Sequence, residues 1–332
     1  MDQPPRVQQY FLTADNGFSV TLLNYGAVIQ SIKVPSSKAQ TEVCLGYLRP
    51  DEYVTDNACL GAVVGRYCNR IAYGQYSTQR GTFQLPVNNN EHHLHGGPNG
   101  FHKKYWEFVE RFDGDSPGIK LSCTSIDGEE GYPGNVTATA TYRIVNGKRL
   151  VLDLEATSDQ ETPLNLTGHA YFNLNSDPSS IENHHLHVNA NQYLPVDASC
   201  LPTGEIKEVK GSDFDFTNST ALGARIHSDN PQIAQLSGID HNFVLANPTK
   251  DTQLAATVFS PQSHIQLRVY TNMPGLQVYT GNHLSGQHQP YQGLCLEPQY
   301  YPDSPNQRHF PNCFLQPGET YHHQIIYEFG WE

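Results

Sequence analysis

Methionine is nearly absent from this chain, with 2 in 332 residues. Charged side chains are also scarce, at 16% against roughly 25% in an average globular chain, so long exposed helical faces laced with Glu and Lys pairs are not expected. Positive charge is the scarcer sign. With 20 Lys and Arg against 33 Asp and Glu, the formal charge is −13 with His neutral, which excludes a chain-wide basic footprint for nucleic acid. The 16 His soften that balance only below about pH 6.5. No C-x-x-C pair occurs among Cys44, Cys59, Cys68, Cys123, Cys200, Cys295 and Cys313, so neither a disulfide framework nor a Cys-based zinc site is suggested and a reducing compartment fits best. No run approaches the roughly 18 apolar residues of a membrane span. The start, MDQPPRVQQYFLT, lacks a basic segment followed by an apolar one, so the expectation is a soluble, untargeted, cytoplasmic protein with no membrane partner. Sequons at Asn135, Asn165 and Asn218 matter only in a secretory context and are read as chance.

What is plentiful is Gly (27), Pro (22) and Tyr (19), the composition of many strands and many turns. Short alternating segments recur at Phe18 to Leu22, Ile119 to Cys123, Thr137 to Ile144, Leu150 to Ala156, Ile265 to Tyr270, Leu276 to Thr280 and Gln324 to Phe329. In LVLDLEA, Leu150, Leu152 and Leu154 share one face while Val151, Asp153 and Glu155 share the other, the period-2 pattern of a half-buried strand. Asp15-Asn16-Gly17, Asp127-Gly128, Pro133-Gly134, Asn146-Gly147, Pro274-Gly275 and Pro317-Gly318 supply turn chemistry between them. No linker, composition shift or repeat divides the chain, so residues 1–332 are read as one all-β domain, a large β-sandwich. His-His-Leu-His occurs twice, at 92–95 and 184–187, with unrelated flanks. The second copy reads as a strand with His185 and His187 on one face.

Hydrogen-bonding side chains concentrate in four segments, three of them beside Gly, where backbone can approach a ligand closely. They are Gly65 to Ile71, Leu94-His95-Gly96-Gly97, Asn165 to Leu174, and Leu296 to Asp303, with a shorter fifth at Ile239 to Phe243. Glu297 stands in an apolar run and His169 in polar, aromatic company. Taken alone, a strand Glu more often faces outward and a lone His is more often structural. His93 and His95 could place two imidazoles on one strand face, as a divalent transition metal would want. The next carboxylate, Glu107, is distant, and a glycine-rich loop intervenes. A glycosidase-like carboxylate pair could be built from Glu297 with Asp240 or Asp303.

At these segments the chain resembles the aldose 1-epimerase (galactose mutarotase) family. The likeness runs from Val20-Thr21-Leu22-Leu23-Asn24-Tyr25-Gly26-Ala27 to Leu315-Gln316-Pro317-Gly318-Glu319. It is most specific at Gly65 to Ile71, Leu94 to Gly97, Asn165 to Leu174, Leu194 to Asp197 and Pro202 to Ile206. The resemblance implies a large antiparallel β-sandwich with an open sugar cleft, no metal and no organic cofactor. It implies that Glu297 is the catalytic base and His169 the acid. Asn69, Arg70, His95, Tyr171, Asp240 and Gln277 match positions that bind sugar hydroxyls or lie beside the reacting centre. Gly168 and Pro298 depart from the family's usual Asn and Thr.

The expected activity is interconversion of the α and β anomers of free hexoses such as galactose and glucose, with the small sugar as the only partner implied and nothing implied about oligomeric state. An epimerase for phosphorylated sugars would want extra Arg or Lys near the cleft. A non-catalytic sugar-binding protein would not need a base and acid pair. Glu, with an ordinary pKa of about 4.3, is expected to be ionised at neutral pH. His, at about 6.5, needs nearby carboxylates such as Glu297 or Asp240 to be charged.

Overall fold

A computed structural model describes residues 6–35, 40–175, 177, 179–246 and 251–331. Residues 1–5, part of the start read above for a leader, lie outside that set. All seven alternating segments are strands. They lie within or against Ser19–Leu23, Gly118–Ser125, Val136–Val145, Arg149–Ser158, Gln266–Thr271, Gly275–Tyr279 and Tyr321–Gly330. In Arg149–Ser158 the alternation works as expected: Leu150, Leu152 and Leu154 are fully buried while Asp153 and Glu155 are half-exposed. Asn146 and Gly147 make the turn into this strand at φ 53 and 63, left-handed values that Asn and Gly tolerate. His185 and His187 share the half-exposed face of His185–Val188. Among the described residues the only α-helices are single turns at Gly223–Ile226 and Pro231–Ala234, and no helix is long and apolar enough to cross a membrane.

Two antiparallel sheets dominate. The first has nine strands in the order Glu107–Phe112, Gly118–Ser125, Val136–Val145, Arg149–Ser158, Tyr321–Gly330, Gln266–Thr271, Gln253–Phe259, His185–Val188 and Thr220–Ala221. The second has six, in the order Tyr171–Phe172, Leu294–Gln299, Gly275–Tyr279, Asp240–Val244, Gln192–Tyr193 and Lys207–Glu208. A four-stranded sheet, Gln9–Thr13, Ser19–Leu23, Ile29–Val34 and Thr41–Glu42, adds its apolar face to the same core. Leu152, Leu154, Ile325 and Tyr327 of the nine-stranded sheet pack in one cluster with Leu276, Val278, Leu294 and Leu296 of the six-stranded sheet. Each such side chain, once fully buried, contributes about 1.5–3 kcal/mol. Packing one face of the six-stranded sheet this way leaves its other face to carry the polar groups.

Candidate active site

Strand Leu294–Gln299 is buried along its whole length, yet its two faces differ. Leu294 and Leu296 enter the inter-sheet core, so alternation sends Cys295 and Glu297 to the opposite face. Antiparallel register then builds two rows there. Tyr171, Cys295, Tyr279 and Asp240 lie side by side across four strands, and Glu297, Gln277 and Asn242 form the next row.

The loops over this floor are held by backbone geometry. Asn165, fully buried, donates to the carbonyls of Cys68 and Tyr300, each at 3.3 Å, and accepts from the Tyr300 N–H at 2.9 Å. One amide thereby ties three of the motif segments together, and its burial leaves the sequon no room for a glycan. His169 is pinned on both sides, its N–H donating to Ala62 O at 2.8 Å and its carbonyl accepting from Gly61 N at 3.0 Å. Asn69 and His95 both adopt positive φ, 62 and 53, a conformation that costs free energy for a non-glycine residue and recurs at functional sites. Gly96 follows at φ 83, and a Cβ there would fall 1.8 Å from the Gly65 carbonyl oxygen, so only glycine fits.

These elements enclose a cleft of about 510 Å³ lined by Asn69, Arg70, His95, His169, Tyr171, Asp240 and Glu297, with Asp56, Cys59 and His283 among the other lining residues. Seven of the eight residues singled out from sequence thus meet in one place. The eighth, Gln277, is buried behind the lining and donates from Nε2 to Asp240 Oδ1 at 2.6 Å. Arg70 Nη1 lies 3.9 Å from the other Asp240 oxygen, and its Nε donates to Asn89 at 3.3 Å. Tyr171 spends its hydroxyl on the carbonyl of Ala58, 3.0 Å away, leaving its ring against His169 at 5.1 Å between centroids. His169 Nε2 is 3.7 Å from Glu297 Oε2, and both side chains are almost wholly buried.

Burial sets the electrostatics. It is the first cause holding the Glu297 carboxyl well above the ordinary carboxylate range, with the charge of Asp240 adding to it and Arg70 opposing. Burial also lowers His169 to about 4, against the opposing pull of its own backbone carbonyl, Asp56 and Asp240. Desolvation thus opposes the charged form of both groups, and at His169 it outweighs the neighbouring carboxylates that were expected to favour the charged ring. His95 is pushed well below its usual value by burial and by the charge of His169. Its Nδ1 accepts the Asn69 N–H at 3.2 Å, so it stands as a neutral imidazole with the hydrogen on Nε2.

The other sequence candidates separate. His93 does not share a face with His95. The strand is only His93–Leu94, and His93 spends both ring nitrogens on Tyr132 OH and Pro86 O at 2.7 Å each. Asp303 holds a loop instead of facing Glu297, accepting from Ala72 N at 2.9 Å and Asn306 Nδ2 at 2.6 Å. Arg66 is a buried strut hydrogen-bonded to Ser125, Ile126 and Pro133, so only the second arginine of Gly65 to Ile71 reaches the cleft. Among the described residues, one set of metal-ligating groups converges, His169, Cys295 and Glu297, with ligand atoms within 4.8 Å. The His169 ring turns Nδ1 to the thiol and Nε2 to the carboxylate, an arrangement suited to passing a proton.

Sequence reasoning did not single out Asp56, whose carboxylate shapes the cleft wall by accepting from Ala58 N, Leu60 N and Tyr47 OH. Nor did it single out Cys295, beside His169, although its place two residues before Glu297 was a readable signal.

A buried carboxyl and a buried imidazole, 3.7 Å apart, thus line a cleft on the face of the six-stranded sheet turned away from the inter-sheet core. Residues 8–328 match the family model described as aldose 1-epimerase, and the chain belongs to that family. It is 39% identical to the aldose 1-epimerase of Escherichia coli, over 94% of this chain and 92% of that protein. It is 38% identical to the galactose mutarotase of Sus scrofa, over 98% and 94% respectively. Among solved structures, the galactose 1-epimerase of Lactobacillus acidophilus superposes with a TM-score of 0.86 at 30% identity, covering 98% of this chain and 99% of that one. An aldose epimerase homologue from C. elegans reaches 0.90 at 28% identity, covering 98% and 99%.

Proposed function

We propose that this chain is an aldose 1-epimerase that interconverts the α and β anomers of free hexoses such as galactose and glucose, with Glu297 as base and His169 as acid. The observation that carries this reading is the pair itself, a carboxyl and an imidazole 3.7 Å apart in the cleft. Glu297 takes the proton from the C1 hydroxyl while His169 gives one to the ring oxygen, and the bond between C1 and that oxygen breaks. Rotation about C1–C2 turns the other face of the aldehyde, and the two groups exchange roles as the C5 hydroxyl adds back. Proton transfer of this kind contributes roughly 10²- to 10⁴-fold per group.

The shifted proton affinities fit this cycle. The cycle needs one proton shared by the pair, and its two arrangements, neutral acid with neutral imidazole or carboxylate with imidazolium, are the states needed for ring closure and ring opening respectively. No net proton is consumed. Arg70, Asn69, His95 and Asp240 supply donors and acceptors for sugar hydroxyls, and Tyr171 supplies an apolar ring face. Gln277 acts through Asp240 and not by direct contact. Among the described lining residues Arg70 is the only Arg or Lys, and Asp240 already faces it, which favours an uncharged sugar over a phosphorylated one.

Polarimetry on freshly dissolved α-D-galactose and α-D-glucose tests the reading. The folded chain is expected to bring both to equilibrium far faster than the spontaneous reaction. No acceleration on any common aldose would falsify it.

A further inference from the structure

His95 and His169 stand edge to face, 5.3 Å between ring centroids, but their Nδ1 atoms are held differently. Nδ1 of His95 meets a backbone N–H, which can only donate. Nδ1 of His169 meets the thiol of Cys295, Sγ to Nδ1 3.6 Å, and a thiol both donates and accepts. Cys295 is fully buried. Burial first, and the charge of Glu297 next, hold its ionisation far above the ordinary thiol range, so the sulfur keeps its hydrogen. Its position is set twice over, by strand alternation with Glu297 two residues on and by cross-strand register between Tyr171 and Tyr279. On the far side of the ring, Glu297 Oε2 is buried without a hydrogen-bond partner, aimed at the His169 Nε2.

We propose that Cys295 is a positioning residue for the acid–base pair: its sulfur accepts from Nδ1–H of His169, which holds the ring with Nε2 toward Glu297 and the sugar and keeps Nε2 as the nitrogen that gains and loses the proton. It accepts from Nδ1–H in both proton states, because an imidazolium that gives its Nε2 proton to the ring oxygen is left with its remaining hydrogen on Nδ1. A carboxylate in its place would favour the charged ring strongly. A backbone N–H, as at His95, would fix the hydrogen on Nε2 and leave that nitrogen unable to take a proton back. A weak, neutral acceptor leaves the second proton free to pass between Nε2, the sugar and Glu297, which a reaction run in both directions by one pair requires. The other groups facing His169 are Tyr171, its own carbonyl and the carboxylates of Asp56 and Asp240, which favour its charged form, and His95 and His102, whose own charging is opposed by the charge of His169.

This inference rests on the epimerase reading, so its test includes a readout that does not depend on turnover. Nitrogen NMR of the full chain labelled with ¹⁵N-histidine reports the tautomer of each imidazole. At pH 7 His169 is expected to carry its hydrogen on Nδ1 in the unmodified chain and in Cys295→Ser, and to become a mixture of tautomers in Cys295→Ala. In polarimetric kinetics Cys295→Ala is expected to lose about tenfold or more in kcat with KM within about twofold, and Cys295→Ser to recover most of the loss. Unchanged tautomer and unchanged kcat in Cys295→Ala would overturn the proposal. So would kcat, KM and melting temperature falling together with no recovery in Cys295→Ser, which is the signature of lost packing. A chain that turns over no sugar yet shows the thiol-dependent tautomer would sink the epimerase reading and leave the positioning role standing.

Discussion

Glu297 and Glu328 are both buried glutamates, 2% and 4% exposed, and the two sheets treat them in opposite ways. On the nine-stranded sheet, Glu328 is paired across strands with Arg149 and Arg268. It accepts from Arg268 Nη1 at 3.0 Å and from Arg149 Nε, with Lys148 3.9 Å away. Burial alone would raise its proton affinity, but the Arg149 hydrogen bond and the surrounding cations bring it below the ordinary range. On the six-stranded sheet, Glu297 has Gln277 across from it and, among the described residues, no Lys or Arg in contact, since the charge of Arg70 is turned to Asp240. One carboxylate is neutralised to hold a sheet together. The other is left uncompensated, with the proton affinity a base needs and at a cost in stability.

The sharpest way to break this comparison is to remove each carboxylate charge in turn. Glu297→Gln is expected to lose at least about 10²-fold in kcat while its melting temperature stays level or rises, and His169→Asn should show a similar loss of turnover. The sign follows from linkage. A carboxyl whose folded pKa is raised contributes stability below its ordinary value near 4.5 and loses it as pH climbs through the raised one, so the amide, which never ionises, is favoured at neutral and higher pH. A Glu297→Gln chain that turns over sugar normally, or melts well below the parent at neutral pH, would contradict the contrast.

The pH profile sharpens the same point. On the proposed mechanism the active form carries a single proton shared by the pair, so activity should hold from neutral pH down to an acid limb near His169's value of about 4. Initial rates between pH 3.5 and 8, corrected for spontaneous mutarotation, measure it. A limb near 6.5 would mean that burial does not govern the imidazole.

The smallest effect belongs to Glu328→Gln. Stability from a carboxyl with a lowered pKa is present above its unfolded value and lost as pH falls through the folded one. The substitution should therefore cost about 1–2 kcal/mol at neutral pH, discounted because its cations are partly exposed. That difference from the parent should shrink below about pH 4.5, and kcat should stay unchanged. Thermal melts at pH 7 and pH 4, alongside polarimetry, would settle it. A large loss of turnover would mean that the two sheets do not divide these tasks.

Much of this architecture was legible along the chain because a strand writes its faces in alternate residues. Leu150, Leu152 and Leu154 announced their core face, and Asn146-Gly147 its turn. Glu297 and His169 were legible as residue types in a family pattern. Depth was not legible. Nothing local distinguishes Arg66, a strut, from Arg70, a cleft residue four positions on, or Gln277 behind Asp240 from a residue that lines the cleft. His93 and His95 are two apart, as on one strand face, but the positive φ at His95 ends the strand between them.

The sequence by itself determined the strands, their faces, the turns and the chemical groups available, because those follow from period and local conformational preference. Only the tertiary structure decided which faces were sealed against each other and which became a cleft. It also decided that one buried glutamate would be ringed by cations and another left without one. Proton affinity depends on desolvation and on charges brought in from distant strands, and neither exists until the sheets have packed.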